Sequence, residues 1–206
     1  MEHYFSLLLF TFTGQTAVGL ILIRPLLGNL TTAQPHTATS FRSDHLVSAL
    51  LMVSLTTAFF HLGSPFRAVY ALSNIANSPL SMEIASLSFL LALSAAISWL
   101  TLRKSNIAFR KILQYISVAA AIVLLLTMTS VYMLPSVPAW FTINTPLAFV
   151  LTTISAGSAV AAMMLFRAGS SVAVRMMAIA VGSSVIMLIA GIVAGRVPFD
   201  GLLLLS

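Results

Sequence analysis

Six apolar runs, each about long enough to cross a bilayer, alternate with short polar stretches, and this pattern constrains the protein more than anything else in it. The runs cover about residues 4–23, 45–62, 79–102, 112–134, 146–166 and 176–195. A bilayer core takes about 20 apolar residues per helix. The expected fold is therefore all-α: a polytopic transmembrane helix bundle of about six spans, forming one integral membrane domain over residues 1–206. Composition agrees, with 59% hydrophobic residues, 7% charged residues and a mean hydropathy of +1.05. A soluble domain carries about 25% charged residues, and disorder requires high charge with low hydrophobicity. Both are excluded.

The first run follows Met1-Glu2-His3, with no basic leader and no small-residue cleavage site, so it reads as a span rather than a signal peptide. From Arg24 to Asp44 the sequence is polar and broken by Pro25, Gly28 and Pro35, which reads as a loop. Gly63-Ser64-Pro65 stops the second run; Ser78 and Pro79 open the third as N-cap and first helical residue. Residues 196–206 read as a short tail. Gly191 with Gly195, and Gly157 with Ala161, have the small-xxx-small spacing of close helix contacts.

The protein is basic, with a net charge of +6. In a membrane protein such an excess reports orientation before it suggests nucleic acid. Loops after spans one, three and five hold Arg24, Arg42, Arg103, Lys104, Arg110, Lys111, Arg167 and Arg175, whereas the opposite side holds Arg67 and Arg196. By the positive-inside rule both termini face away from the cytoplasm.

Cysteine is absent, which removes disulfides, thiolate-held iron–sulfur clusters and a cysteine nucleophile. Haem lacks a ligand pair: His45 and His61 lie on one span, about 24 Å apart along a helix. His3 and His61 share a face, but nothing else favours their pairing. Nucleotide-binding and common hydrolase motifs are missing. Any electrons handled here belong to something the protein binds.

Among the acidic residues, Glu2, Asp44 and Asp200 fall at chain ends or span edges, where water is expected. Glu83 lies about a turn inside span three. An ionisable group at that depth is expensive and marks a candidate site; it also lies near the positive end of a helix dipole, which would stabilise it without any function. Spacing alone does not choose. His61, at the end of span two on the same side, reads either as a C-terminal histidine facing its dipole or as a proton acceptor titrating near neutrality. Arg67 and Arg196 share that face and suit hydrogen bonds to a carbonyl or carboxylate.

His61-Leu62-Gly63-Ser64-Pro65-Phe66-Arg67-Ala68, with Ser81-Met82-Glu83-Ile84-Ala85-Ser86, resembles the membrane anchor subunit of anaerobic dimethyl sulfoxide reductase. Phe12-Thr13-Gly14-Gln15, Val131-Tyr132, Val137-Pro138-Ala139-Trp140, Thr145-Pro146 and Gly195-Arg196 with Phe199-Asp200-Gly201 add to the likeness. The resemblance implies a subunit with no haem, iron–sulfur cluster or molybdopterin of its own. It would bind menaquinol in a bacterial inner membrane and hold an iron–sulfur electron-transfer subunit and a molybdopterin catalytic subunit there. His61 and Glu83 match that family's quinol-site residues. The sequence also departs from the family. About eight spans are usual there, so a helix pair is missing after span five. Ile192 and Asp200 stand where an acid and an aromatic are expected, and Ser130 replaces a basic residue.

The resulting expectation is quinol oxidation at the non-cytoplasmic ends of spans two and three. His61 and Glu83 would accept protons, with Arg67 or Arg196 holding the head group or a partner surface. The loops 62–78 and 134–145, with Trp140 and Phe141, would dock the electron-accepting partner. Two rivals stand beside it: an anchor that docks partners without oxidising quinol, and a small permease subunit. The permease would need polar residues deep in several spans, where Gln15 is the main one.

Overall fold

A computed structural model describes the backbone over residues 2–30, 37–61, 78–103, 106–133, 141–167 and 172–203, and side chains over 5–25, 43–60, 78–103, 106–133, 141–166 and 172–190 except 188. All regular structure among the described residues is helical: α1 (Glu2–Leu30), α2 (Thr37–His61), α3 (Pro79–Leu102), α4 (Ile107–Tyr132), α5 (Asn144–Arg167) and α6 (Val172–Leu203). The first five hold apolar stretches long enough to cross a membrane, Phe5–Pro25, Ser43–Phe60, Pro79–Leu102, Ile107–Tyr132 and Asn144–Phe166. In α6 the apolar stretch found among described residues, Val172–Met187, is shorter. This is a multi-pass helical membrane protein.

The ends of α3 and α4 follow from local chemistry. Ser78 caps α3, its side chain accepting from the Ser81 amide at 3.4 Å with Pro79 opening the helix. Asn106 caps α4, Oδ1 accepting from the Ala108 amide at 2.8 Å. Elsewhere the helices outrun the apolar runs. The stretch from Arg24 to Asp44 is not all loop, since α1 continues through Pro25 and α2 begins at Thr37. Residues 196–203 are helical too, where a tail was expected. A helix need not stop where its apolar face stops, because polar residues extend it once it leaves hydrocarbon. Membrane helices tolerate an internal proline when neighbouring groups satisfy the freed carbonyl.

Threonine-rich stretches remain compatible with hydrocarbon because their hydroxyls bond back to the preceding turn. Thr11, Thr13 and Thr16 donate to the carbonyls of Leu7, Leu9 and Phe12 at 2.7–2.8 Å. Each hydroxyl proton is satisfied within its own helix, so a neighbouring helix can pack directly on the methyl groups.

Helix α1 is the centre of the bundle. It packs on α2, α4 and α5, while α2 continues to α3, α3 to α4, and α5 to α6. Of its apolar stretch 61% is buried, against 28% for those of α2 and α4. Its own Val18 and the surrounding Leu51, Leu87, Leu90, Leu124 and Met128 are each at most 1% exposed. Leu8, Phe12, Phe89, Leu126 and Phe166 point outward, as lipid-facing side chains do. Gly157, expected to serve packing, does so through α1: a Cβ there would fall 2.5 Å from the backbone of Gly19. Gly191 and Gly195 are helical, and their packing lies outside the described residues.

Candidate functional site

Glu83 lies on the second turn of α3 and faces inward, 2% exposed. The capped start of α3 sets its depth: Ser78 and Pro79 fix where the helix begins, and Glu83 then falls on the inward stripe with Ile84, Leu87 and Leu90. It borders a cavity of about 60 Å³ lined by Leu7 and Phe10 of α1, Ala58 of α2, Leu80, Ile84 and Leu87 of α3, and Val131 and Tyr132 of α4. Oε1 of Glu83 is buried without a hydrogen-bond partner among the described residues. Natural proteins pair nearly all such atoms, so an orphaned carboxylate oxygen asks for an explanation. The space holds a few waters and no more.

Tyr132 forms the polar part of the opposite wall. It hydrogen-bonds Thr11 of α1 and stacks tilted on Phe149 of α5, ring centroids 5.2 Å apart. Behind Glu83, the Ser86 hydroxyl donates to the Glu83 carbonyl at 3.0 Å and bonds Thr127 of α4 at 2.9 Å. The turn bearing the carboxylate is thereby tied to α4. In the sequence Val131-Tyr132 carries a family resemblance and nothing that places Tyr132 at a site. A tyrosine at the end of an apolar run is the pattern of an interface anchor, and only packing shows it facing inward.

His61 closes α2, three residues beyond the cavity-lining Ala58. The His61 side chain lies outside the described residues, as does Arg67 entirely, and Arg196 is described only as a backbone position in α6. Of the expected docking loops only the edges are described, including Phe141 and Ile143, 52% and 79% exposed.

A second polar centre occupies the other end of α1–α4, and it corrects two expectations. Asp44 is not at a wet span edge; it is 1% exposed. Arg24 is not in a loop but in α1, where its Nη2 lies 2.8 Å from Asp44 Oδ1. Thr101 of α3 donates to Asp44 Oδ2 at 2.9 Å, and Ser98 donates to the Asp44 carbonyl at 2.9 Å. Ser48 of α2 bonds both Ser94 and Ser98, at 2.9 and 2.8 Å. Arg110 of α4 reaches Thr101 at 3.5 Å. The spacing of Arg24 and Asp44 carried no helical signal across the intervening polar stretch, so their meeting was not legible. Among the described residues no group of three or more acidic or histidine side chains is placed to hold a metal ion.

The family model for the DMSO reductase anchor subunit (DmsC) matches residues 1–199. This protein belongs to the DMSO reductase anchor subunit family. Its relatives agree. The anaerobic dimethyl sulfoxide reductase protein YnfH of Escherichia coli (strain K12) is 32% identical over 165 residues, which are 79% of the present sequence and 58% of that relative. The C subunit of the same organism's anaerobic dimethyl sulfoxide reductase is 31% identical over 173 residues, 81% and 59% of the two lengths. The corresponding C subunit from Haemophilus influenzae is 28% identical over 122 residues, 58% and 43% of the two lengths. This anchor-family protein thus spans under two thirds of the length of these relatives. No solved structure matches it. The family assignment agrees with the resemblance read from the His61 and Glu83 motifs.

Proposed function

We propose that this protein anchors a molybdopterin oxidoreductase of the dimethyl sulfoxide reductase type in the bacterial inner membrane and oxidises menaquinol at the Glu83 end. The observation that carries the reading is the Glu83 carboxylate, buried near the start of α3 beside the last turn of α2, with Oε1 lacking a hydrogen-bond partner among the described residues. Family membership supplies the chemical context.

Quinol oxidation releases two electrons and two protons, and the neutral head group must lose both protons without leaving charge in hydrocarbon. The Glu83 cavity is smaller than a quinol ring, so the head group binds at its mouth, where α2 ends. His61 accepts one hydroxyl proton, and Glu83 takes the other or passes it to the aqueous face. Arg67 or Arg196 holds the head group or the docked partner. Both electrons leave to an iron–sulfur cluster of the electron-transfer subunit and then to the molybdopterin subunit, and the product is the quinone. The termini and the Glu83 end face away from the cytoplasm, as the loop charges suggest.

The test is His61→Ala and Glu83→Gln in the assembled complex. General acid–base groups contribute about 10²–10⁴-fold, so each variant loses at least about a hundredfold in quinol-dependent turnover while the partner subunits stay membrane-bound. Normal quinol oxidation in both variants refutes the assigned roles. A second reading, an anchor that docks partners without oxidising quinol, draws on Ser130, Ile192 and Asp200, which stand where the family resemblance leads one to expect other residues. Saturable binding of a quinol-analogue inhibitor to the purified complex excludes it.

A further inference from the structure

The cluster around Asp44 carries more positive charge than it neutralises. Arg24 and Arg110 converge on the same carboxylate neighbourhood, close enough for their charges to repel, and Asp44 is the sole acid in that neighbourhood among the described residues. Each guanidinium has several N–H donors in a rigid fork. Among the described residues, Arg24 is held by Asp44 Oδ1 and Arg110 by the Thr101 hydroxyl, the latter at a long 3.5 Å. Both Nε atoms are buried without a hydrogen-bond partner among the described residues, and so is Asp44 Oδ1, whose 2.8 Å contact with Arg24 Nη2 is an ion pair without hydrogen-bond alignment. Burying unpaired cationic donors is costly, so a compensating anion is expected.

Access and setting narrow the anion's identity. Arg24 keeps 20% of its side chain exposed, so one edge of the cluster is open. The cluster lies at the ends of α1, α3 and α4, among exposed Trp99, Arg103, Ile107, Lys111 and Tyr115, with Arg103 over the Trp99 ring at 5.3 Å. Aromatic and cationic side chains mixed this way mark the headgroup level of a bilayer. Guanidiniums bind phosphate oxygens in pairs, and basic pockets between membrane helices take anionic lipid headgroups.

We propose that Arg24 and Arg110 form a binding site for the phosphodiester of an anionic phospholipid, with Asp44 holding Arg24 in place and Thr101 orienting Arg110. The lipid completes the charge balance of the α1–α4 group at the end away from Glu83.

The experiment compares purified protein in nanodiscs of phosphatidylcholine alone, phosphatidylcholine with about one fifth phosphatidylglycerol, and phosphatidylcholine with inorganic phosphate in the buffer. In wild type, phosphatidylglycerol raises the unfolding midpoint by roughly 5–10 °C, as saturating ligand does for a protein of this size, and phosphate does not. Lys111→Gln keeps the shift; Arg110→Gln loses it. Native mass spectrometry of wild type retains phosphatidylglycerol, a readout that needs no variant to fold. Absence of retained lipid, an equal shift in Arg110→Gln, or an equal shift from inorganic phosphate each overturns the proposal.

Discussion

Gly19 and Gly157 meet backbone to backbone where α1 crosses α5. A Cβ on Gly19 would fall 2.2 Å from the Thr153 carbonyl oxygen, and one on Gly157 would fall 2.5 Å from the Gly19 carbonyl carbon. Neither neighbour is a flexible side-chain tip that can move aside. The helices are as close as they are because neither residue has a side chain.

Alanine substitutions along this surface should therefore order themselves by what the new methyl meets. Gly157→Ala and Gly19→Ala each force the helices apart and cost about 3 kcal/mol, the upper part of the usual overpacking range. Gly14→Ala costs less. Its methyl meets the Ser54 hydroxyl at 3.0 Å and the Met128 terminal methyl at 3.2 Å, and both are side-chain atoms. Gly182→Ala meets nothing within 4 Å and stabilises by up to about 1 kcal/mol through helix propensity. Thermal unfolding of the four variants in one detergent checks the order, and a Gly19→Ala midpoint equal to wild type would count against the close approach.

Asp44 gives a different signature from Arg24, although they form one pair. Asp44→Ala leaves a guanidinium without its carboxylate inside the bundle and costs about 3 kcal/mol, the lower end for breaking a buried pair because Arg24 is partly exposed. Replacing both, as Arg24→Met with Asp44→Leu, recovers most of that loss, since two apolar side chains need no partners. Chemical denaturation of the single and double variants measures the coupling. Strict additivity would mean that the 2.8 Å contact contributes nothing.

The helical class was legible because each apolar run is close to the length a bilayer demands. The Ser78-Pro79 start was legible because cap chemistry is local. Glu83 stood out in the sequence as a carboxylate inside an apolar run, and the structure buries it at 2% exposure. What escaped was everything that depends on which helix faces which. Asp44 follows a polar stretch and reads as wet, yet Thr101 and Ser98 from α3 enclose it. Tyr132 carried only a family resemblance in the sequence, yet it turns in toward the Glu83 cavity. Gly19 had no small partner at helical spacing that would flag it, because its partner is Gly157 on another helix.

Orientation is directly testable because the sequence has no cysteine, so one introduced thiol is the sole reactive site. Phe141 and Lys111 are exposed and belong to opposite ends of α4 and its flanking connections. In intact spheroplasts a membrane-impermeant maleimide should label Phe141→Cys and spare Lys111→Cys until the membrane is permeabilised. The reverse pattern would invert the topology and move the Glu83 end to the cytoplasmic side.

At Glu83 stability and the proposed function can be measured apart. Its carboxylate is buried, and Oε1 has no partner among the described residues. Glu83→Leu replaces it with a side chain that fits the surrounding Leu7, Phe10, Ala58, Ile84 and Leu87. A buried unsatisfied group exchanged for an apolar one of similar size is nearly neutral or stabilising, by about 1–3 kcal/mol if the full desolvation penalty is relieved. The expected outcome is an unfolding midpoint equal to or above wild type, alongside loss of quinol-dependent turnover in the assembled complex. A marked fall in the midpoint would identify Glu83 as a structural residue paired by a group such as His61, and its retention at this depth would then need no chemistry with quinol.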